Sequence, residues 1–306
     1  MRDVRVMASG LCFPEGPVAM ADGSVALVEI ERQTVSLVRP DGRVEVAAYT
    51  GGGPNGMAVG PDGAFYICNN GGFGWRRERG LLRPVIQASE YSGGRIERVD
   101  PRTAKVELLY DRCGEHRLRG PNDIVFDAQG GFYFSDLGKS RARDRDHGGL
   151  YYALADGSRI VEVAHPILTP NGVGLSPDGS VVYVAETETA RLWAFDVVSP
   201  GVVTKQGFPS PHGGRLVAGL GGFQRFDSLA VDVHGNVCVA TLVTGAVTSI
   251  APDGRVLRQV TFGDPMTTNV CFGGGDMTTA FVTLSGTGKL VAVVWPEAGL
   301  RLHYQG

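Results

Sequence analysis

A nine-residue pattern recurs six times along the 306-residue chain and limits its fold more than any other feature. An anchor with a side-chain oxygen opens a short, mostly apolar run. Eight residues later a glycine marks a turn, and a β-rich run follows. The anchors are Glu15, Asn55, Asn122, Asn171, Asp227 and Asn269. The glycines are Gly23, Gly63, Gly130, Gly179 and Gly235, and the sixth copy carries Met277 instead. Successive anchors lie 40, 67, 49, 56 and 42 residues apart, close to the roughly 40–50 residues of a four-stranded propeller blade. Asp22-Gly23, Asp62-Gly63 and Asp178-Gly179 are hairpin signals between short strands. No long stretch has a helical period, which excludes α/β barrels and other helix-rich folds. The pattern predicts an all-β, six-bladed β-propeller of four-stranded antiparallel blades, one domain over residues 1–306. The run 3–7 precedes the first anchor and is expected to supply the fourth strand of the last blade, closing the ring.

The 45 glycines and 17 prolines are spread along the chain, as frequent tight turns require. A net charge of −3 leaves no basic field for nucleic acid or an anionic membrane. No apolar run is long enough to span a bilayer, and the N-terminus lacks the apolar stretch of a secretory signal, so a cytoplasmic location is expected. The five cysteines are widely spaced with no CxxC pair, and Cys68, Cys238 and Cys271 fall in apolar runs that read as core.

Each anchor opens an innermost strand, and the second strand returns to the anchor's side. The loop after the second strand and the link entering each blade therefore share one face with the anchors. The long insertions 71–93, 112–120, 136–149 and 208–225 fall in those places and are expected over one mouth of the channel. At that mouth six equivalent positions converge on the axis. Glu15 and Asp227 facing one another would repel unless a proton or a cation intervened. Carboxylates and amide carbonyls are hard donors that suit Ca²⁺, Mg²⁺ or Mn²⁺. With no His or Cys among the anchors a structural zinc site is disfavoured, whereas a catalytic zinc completed by water stays open. Asn-Gly also favours turns, but Glu15 occupies the same slot and is not a turn residue.

At these residues the sequence resembles the gluconolactonase family that includes regucalcin. The resemblance rests on Phe13-Pro14-Glu15-Gly16-Pro17, Pro121-Asn122-Asp123, Pro170-Asn171-Gly172, Phe226-Asp227-Ser228-Leu229 and the run from Pro265 to Phe272. It implies one divalent metal, Ca²⁺ first, with Mn²⁺, Mg²⁺ or Zn²⁺ as alternatives, held by Glu15, Asn171 and Asp227. Asp227 would also be the general base, with direct nucleophilic attack as the other possibility. Asn122, Asn55 and Asn269 would contact substrate. The implied reaction is hydrolysis of a small-molecule lactone, an aldonolactone, through a metal-polarised carbonyl. A phosphotriesterase or a non-catalytic ligand-binding propeller on the same scaffold are the alternatives. In the regucalcin branch a substrate-binding arginine stands two residues before the third anchor. Here that position is Gly120, with Arg119 one step earlier.

Other candidates lie in the insertions. His116, His147 and His212 are expected to be exposed loop histidines sooner than proton shuttles. Trp75, Arg76, Arg77 and Arg79 either bind an acidic sugar or form a solvated lid. Ser135 and Asp136 are expected near the mouth. The chain has no Gly-x-Ser-x-Gly elbow of a serine hydrolase, and Gly51-Gly52-Gly53 does not join a strand to a helix as a nucleotide site requires.

Overall fold

The computed structural model describes residues 3–305. Its sheets form a six-bladed β-propeller, with no helix among the described residues. The innermost strands are Pro14–Ala19, Pro54–Val59, Pro121–Phe126, Pro170–Leu175, Arg225–Val231 and Thr267–Gly273. Each contacts the innermost strand of the next blade, and the sixth contacts the first. Proline opens four of them, at the strand-end position where a missing N–H does no harm. In the sixth blade, Arg5–Ser9 pairs with Lys289–Val294 as the outermost strand. Blade four departs from the simple pattern. The outer edge of its third strand, Arg191–Ser199, is shared by two short pieces, Val202–Val203 and Arg215–Gly219.

There is no single central core. Six apolar clusters fill the six interfaces between neighbouring blades. Tyr66, Phe126, Phe132 and Phe134 bridge blades two and three, for example, and Tyr133, Tyr152, Trp193 and Phe195 bridge three and four. Every blade is therefore apolar on both faces, so its middle strands are almost wholly buried. Cys68, Cys238 and Cys271 lie in these layers and are free thiols. A seventh cluster, of Phe13, Ile30 and Leu82 with Phe73, Trp75 and Met266 against it, sits outside the ring at the anchor end.

One irregularity repeats in all six blades. Pairing between the innermost and second strands slips by one residue at Glu15/Val18, Pro54/Met57, Pro121/Ile124, Pro170/Val173, Phe226/Leu229 and Thr267/Asn269. This is a β-bulge, a device that re-aims one side chain out of the regular pleat. In every blade it falls at the anchor. Beside it the strands crowd the axis: a Cβ on Gly56 would lie 2.4 Å from the Asn122 carbonyl oxygen.

The opposite end of the channel is covered by residues 299–305. Leu300 N donates to the Val231 carbonyl, and the Gln305 amide donates to the carbonyls of Ala19 and Phe272 at 3.2 and 3.0 Å. A small apolar void of about 60 Å³ remains between this segment and the bulges.

Candidate metal centre and mouth cavity

Glu15, Asn55, Asn122, Asn171 and Asp227 line one cavity of about 530 Å³ at the mouth of the channel, a volume typical of small-ligand sites. All five are buried. The sixth anchor differs. Asn269 does not line this cavity; its Nδ2 donates to Glu15 Oε2 at 2.9 Å and its Oδ1 accepts from Val270 N. Glu15 Oε2 also accepts from Gly16 N at 3.1 Å. Asn171 is held by Thr187, whose Oγ1 accepts from Nδ2 at 3.0 Å, and by Ser228, whose Oγ donates to Oδ1 at 3.4 Å.

The electrostatics of this floor are unbalanced. Burial pushes the Glu15 carboxyl up to about 7, against the opposing hydrogen bonds from Thr268, Asn269 and Gly16. Burial first, and then the charge of Glu15, raises Asp227 well above the carboxylate range. Asp123, the residue after the third anchor, is likewise raised to about 7 by burial, although Ile124 N and Val173 N donate to it. Asp123 faces the small void below the bulges. Among the described residues, no Lys or Arg is a leading influence on Glu15, Asp123 or Asp227. The side-chain oxygen of Asn122 is buried without a hydrogen-bond partner. Buried acids that repel each other beside an orphaned amide oxygen are what a divalent cation would reconcile. Among the described residues no three His, Cys, Asp or Glu side chains gather as a ligand cluster. The donors at the floor are two carboxylates with amides, whose oxygens fit a hard cation.

The insertions divide. Segment 71–93 forms a hairpin, Phe73–Glu78 paired with Leu81–Gln87, and Phe73 with the Arg83-to-Ile86 run lines the cavity. Residues 137, 140, 223 and 225 bring the third and fourth insertions to the same wall. The second insertion does not reach it. Arg112–Cys113 and His116–Arg117 make a small separate ladder, and neighbouring Leu118 is buried in the blade two–three interface. His116 and His147 are exposed and lie off the cavity. His212 departs from the exposed-loop expectation: it is buried against Trp193 and Phe195, at ring distances of 4.5 and 5.6 Å. Its burial follows from apolar packing that no loop statistic registers, and that burial lowers its pKa.

Trp75 packs on Phe13 at 5.2 Å and anchors the hairpin, while Arg76 and Arg79 face solvent and Arg77 pairs with Glu31. Asp136 and Ser135 are buried and structural. Asp136 accepts from the backbone N–H groups of Arg119, Gly120 and Gly138, and Ser135 Oγ donates to the Asn171 carbonyl. Gly120 lies so close to Gly138 that an added Cβ would meet its carbonyl oxygen at 2.5 Å. No longer side chain fits there, and exposed Arg119 is not part of the cavity.

Sequence reasoning passed over Lys139. It is buried, its Nζ donates to Asn70 Oδ1 and the Gly72 carbonyl at 2.9 Å each, and it lies 3.9 Å above the Phe73 ring. Burial pulls its ammonium down to about 7, against the charges of Asp136 and Asp146. This side chain ties the hairpin of blade two to the blade-three loop. Lys139→Met is expected to cost about 1–3 kcal/mol through the lost hydrogen bonds and to speed proteolysis within 71–93. Urea unfolding and timed digestion measure both; cleavage no faster than in the parent would show that the tie is not what holds the hairpin.

A six-bladed propeller with an acid–amide floor under one mouth is the class this architecture defines. Within it, the chain belongs to the SMP-30/Gluconolactonase/LRE-like region family, whose match spans residues 13–286. A gluconolactonase of Zymomonas mobilis is 27% identical, over 88% of this chain and 76% of that one. A lactonase drp35 of Staphylococcus saprophyticus is 28% identical, over 82% and 68% respectively. Among solved structures, a calcium-binding regucalcin from Agrobacterium tumefaciens superposes with a TM-score of 0.77 at 18% identity, covering 99% of this chain and 96% of that one. A PQQ-bound aldose sugar dehydrogenase from Streptomyces coelicolor also superposes, with a TM-score of 0.68 at 16% identity, covering 96% and 98%. Likeness at that level establishes the fold, and the chemistry has to come from the site.

Proposed function

We propose that this protein is a metal-dependent lactone hydrolase. The observation that carries the reading is the floor of the mouth cavity, where Glu15 and Asp227 are buried, the charge of Glu15 acts on Asp227, and no cationic side chain among the described residues is a leading influence on either. The relatives named gluconolactonase and lactonase support it. Glu15, Asn171 and Asp227 would hold one divalent cation, Ca²⁺ foremost on donor chemistry. A cation there supplies Lewis-acid stabilisation of the oxygen on which charge develops during carbonyl attack.

The chain's own groups do the rest. Asp227 accepts a proton from the attacking water and returns it to the ring oxygen as the acyl C–O bond breaks, leaving a hydroxy acid. Asn122 and Asn55 flank the floor and donate to substrate oxygens. Asn269, spent on Glu15, is assigned to orienting that carboxylate. Thr187 and Ser228 do the same for Asn171.

Chelator-stripped protein is expected to release no acid from lactones, and Ca²⁺, Mn²⁺, Mg²⁺ or Zn²⁺ to restore the release, followed by pH-stat titration. Metal-independent turnover removes the cation from the reading. Turnover of a paraoxon-like ester with no lactone opened moves the chemistry to phosphotriesters.

A further inference from the structure

Above its polar floor the cavity is apolar. Phe13, Ile30, Phe73, Leu242 and Met266 form its sides. At the rim, Val85, Ile86, Phe223 and Val243 line the same cavity yet are 36%, 44%, 72% and 42% exposed. These come from three separate segments and line one cavity, so apolar side chains face solvent around its mouth; exposed apolar surface of this kind marks a binding surface. Part of the hydrogen-bonding capacity of the wall is already engaged. Glu188 pairs with Arg225 at 3.0 Å and with Arg145 at 3.2 Å, Arg83 pairs with Glu78 at 3.2 Å, and Thr187 holds Asn171. Above the asparagines of the floor, apolar side chains outnumber polar ones along the wall, and each hydroxyl of a substituent buried there without a partner opposes binding.

Val243 adds an independent sign. It follows the second strand of blade five with φ at +72°, a region that a β-branched residue enters only under strain. Glycine would adopt this turn freely. The chain instead carries an isopropyl group here, at the cavity edge, with Val243 N bound to the Pro265 carbonyl.

From these observations we infer that the natural substrate is a lactone with an apolar substituent, an alkyl chain or aryl group, which lies against Val85, Ile86, Phe223 and Val243 while the ring carbonyl seats on the floor. The inference rests on the lactonase reading for the ring, and on the wall alone for the substituent.

The test is a chain-length series. Metal-loaded protein is assayed with γ-lactones carrying alkyl chains of one to seven carbons, with glucono-δ-lactone alongside. Binding of the matching 5-alkyl-2-pyrrolidinones, which resist hydrolysis, is measured by calorimetry. Both kcat/KM and affinity are expected to rise about two- to fourfold per methylene until the cavity is filled. Val243→Gly is expected to flatten that slope and leave the melting temperature equal or higher. A best rate on glucono-δ-lactone with no chain-length dependence overturns the inference and keeps the lactonase. No hydrolysis of any lactone, with lactam affinity still climbing, keeps the apolar site and ends the lactonase reading. Val243→Gly that loses stability with an unchanged slope removes Val243 from the site.

Discussion

Asp227→Asn is expected to lower kcat for lactone opening by about 10²–10⁴-fold, the usual worth of a positioned general base, with metal stoichiometry and melting temperature nearly preserved. The substitution separates two duties of one side chain. An amide oxygen still serves as a hard ligand, but it takes no proton at working pH. Position supports asking Asp227 for both: it lines the cavity floor, it sits on a bulge that turns it toward the axis, and Asn171 donates to it. Its raised proton affinity is the property a base needs. Cation binding lowers that affinity again, so the rising limb of kcat/KM against pH in the parent enzyme should lie well below the metal-free value and vanish in the variant. Full activity in Asp227→Asn would remove the base and leave a ligand. Loss of metal together with activity would make the ligand role the dominant one.

The second large effect is on stability. In the metal-free chain burial raises Glu15 and Asp123 to about 7, and burial with the charge of Glu15 raises Asp227 well above the usual carboxylate range, all above their unfolded values of about 4. The native state therefore binds more protons than the unfolded state from about pH 4 to about 7. Over that window these groups make stability fall as pH rises. A cation needs the deprotonated form, so it competes with protons below neutrality and has the site to itself at pH 8. Calcium at 100 times its Kd contributes about 2.7 kcal/mol, which for a chain of this size is a rise of about 4 °C. That rise is expected at pH 8, and only a small fraction of it at pH 5.5. Comparing plus and minus calcium at each pH cancels the opposite trend of Lys139, whose lowered pKa favours the fold as pH rises. Calorimetric scans giving equal shifts at both values would separate metal binding from these carboxyl groups.

Much of the architecture was legible because the repeat is a sequence-level object. Anchor spacing and Asp-Gly turns locate the innermost strands, and alternating apolar runs locate their neighbours. The bulges were not legible. A one-residue slip leaves composition and period unchanged, yet it decides where Glu15 and Asp227 point. Asn269 shows the same limit: it matches the other anchors in sequence, but its amide is consumed by Glu15 across the ring junction, 254 positions away in the chain. The 112–120 insertion was assigned to the mouth by topology, and Leu118 draws it into a blade interface instead. Lys139 carried no motif, since its partners Asn70 and Gly72 belong to a distant insertion. His212 read as a loop residue because local polarity says nothing of Trp193 and Phe195, which enclose it.

The segment 299–305 corks the end of the channel opposite the cavity. Traffic is thereby restricted to a single doorway. On the lactonase reading, reactant, water and the released hydroxy acid would share the mouth that the 71–93 hairpin lines together with Phe223 and Val243. A departing acid, charged and facing an apolar threshold, would then contend with its own precursor for the same passage, and the doorway would couple the pace of release to the pace of entry.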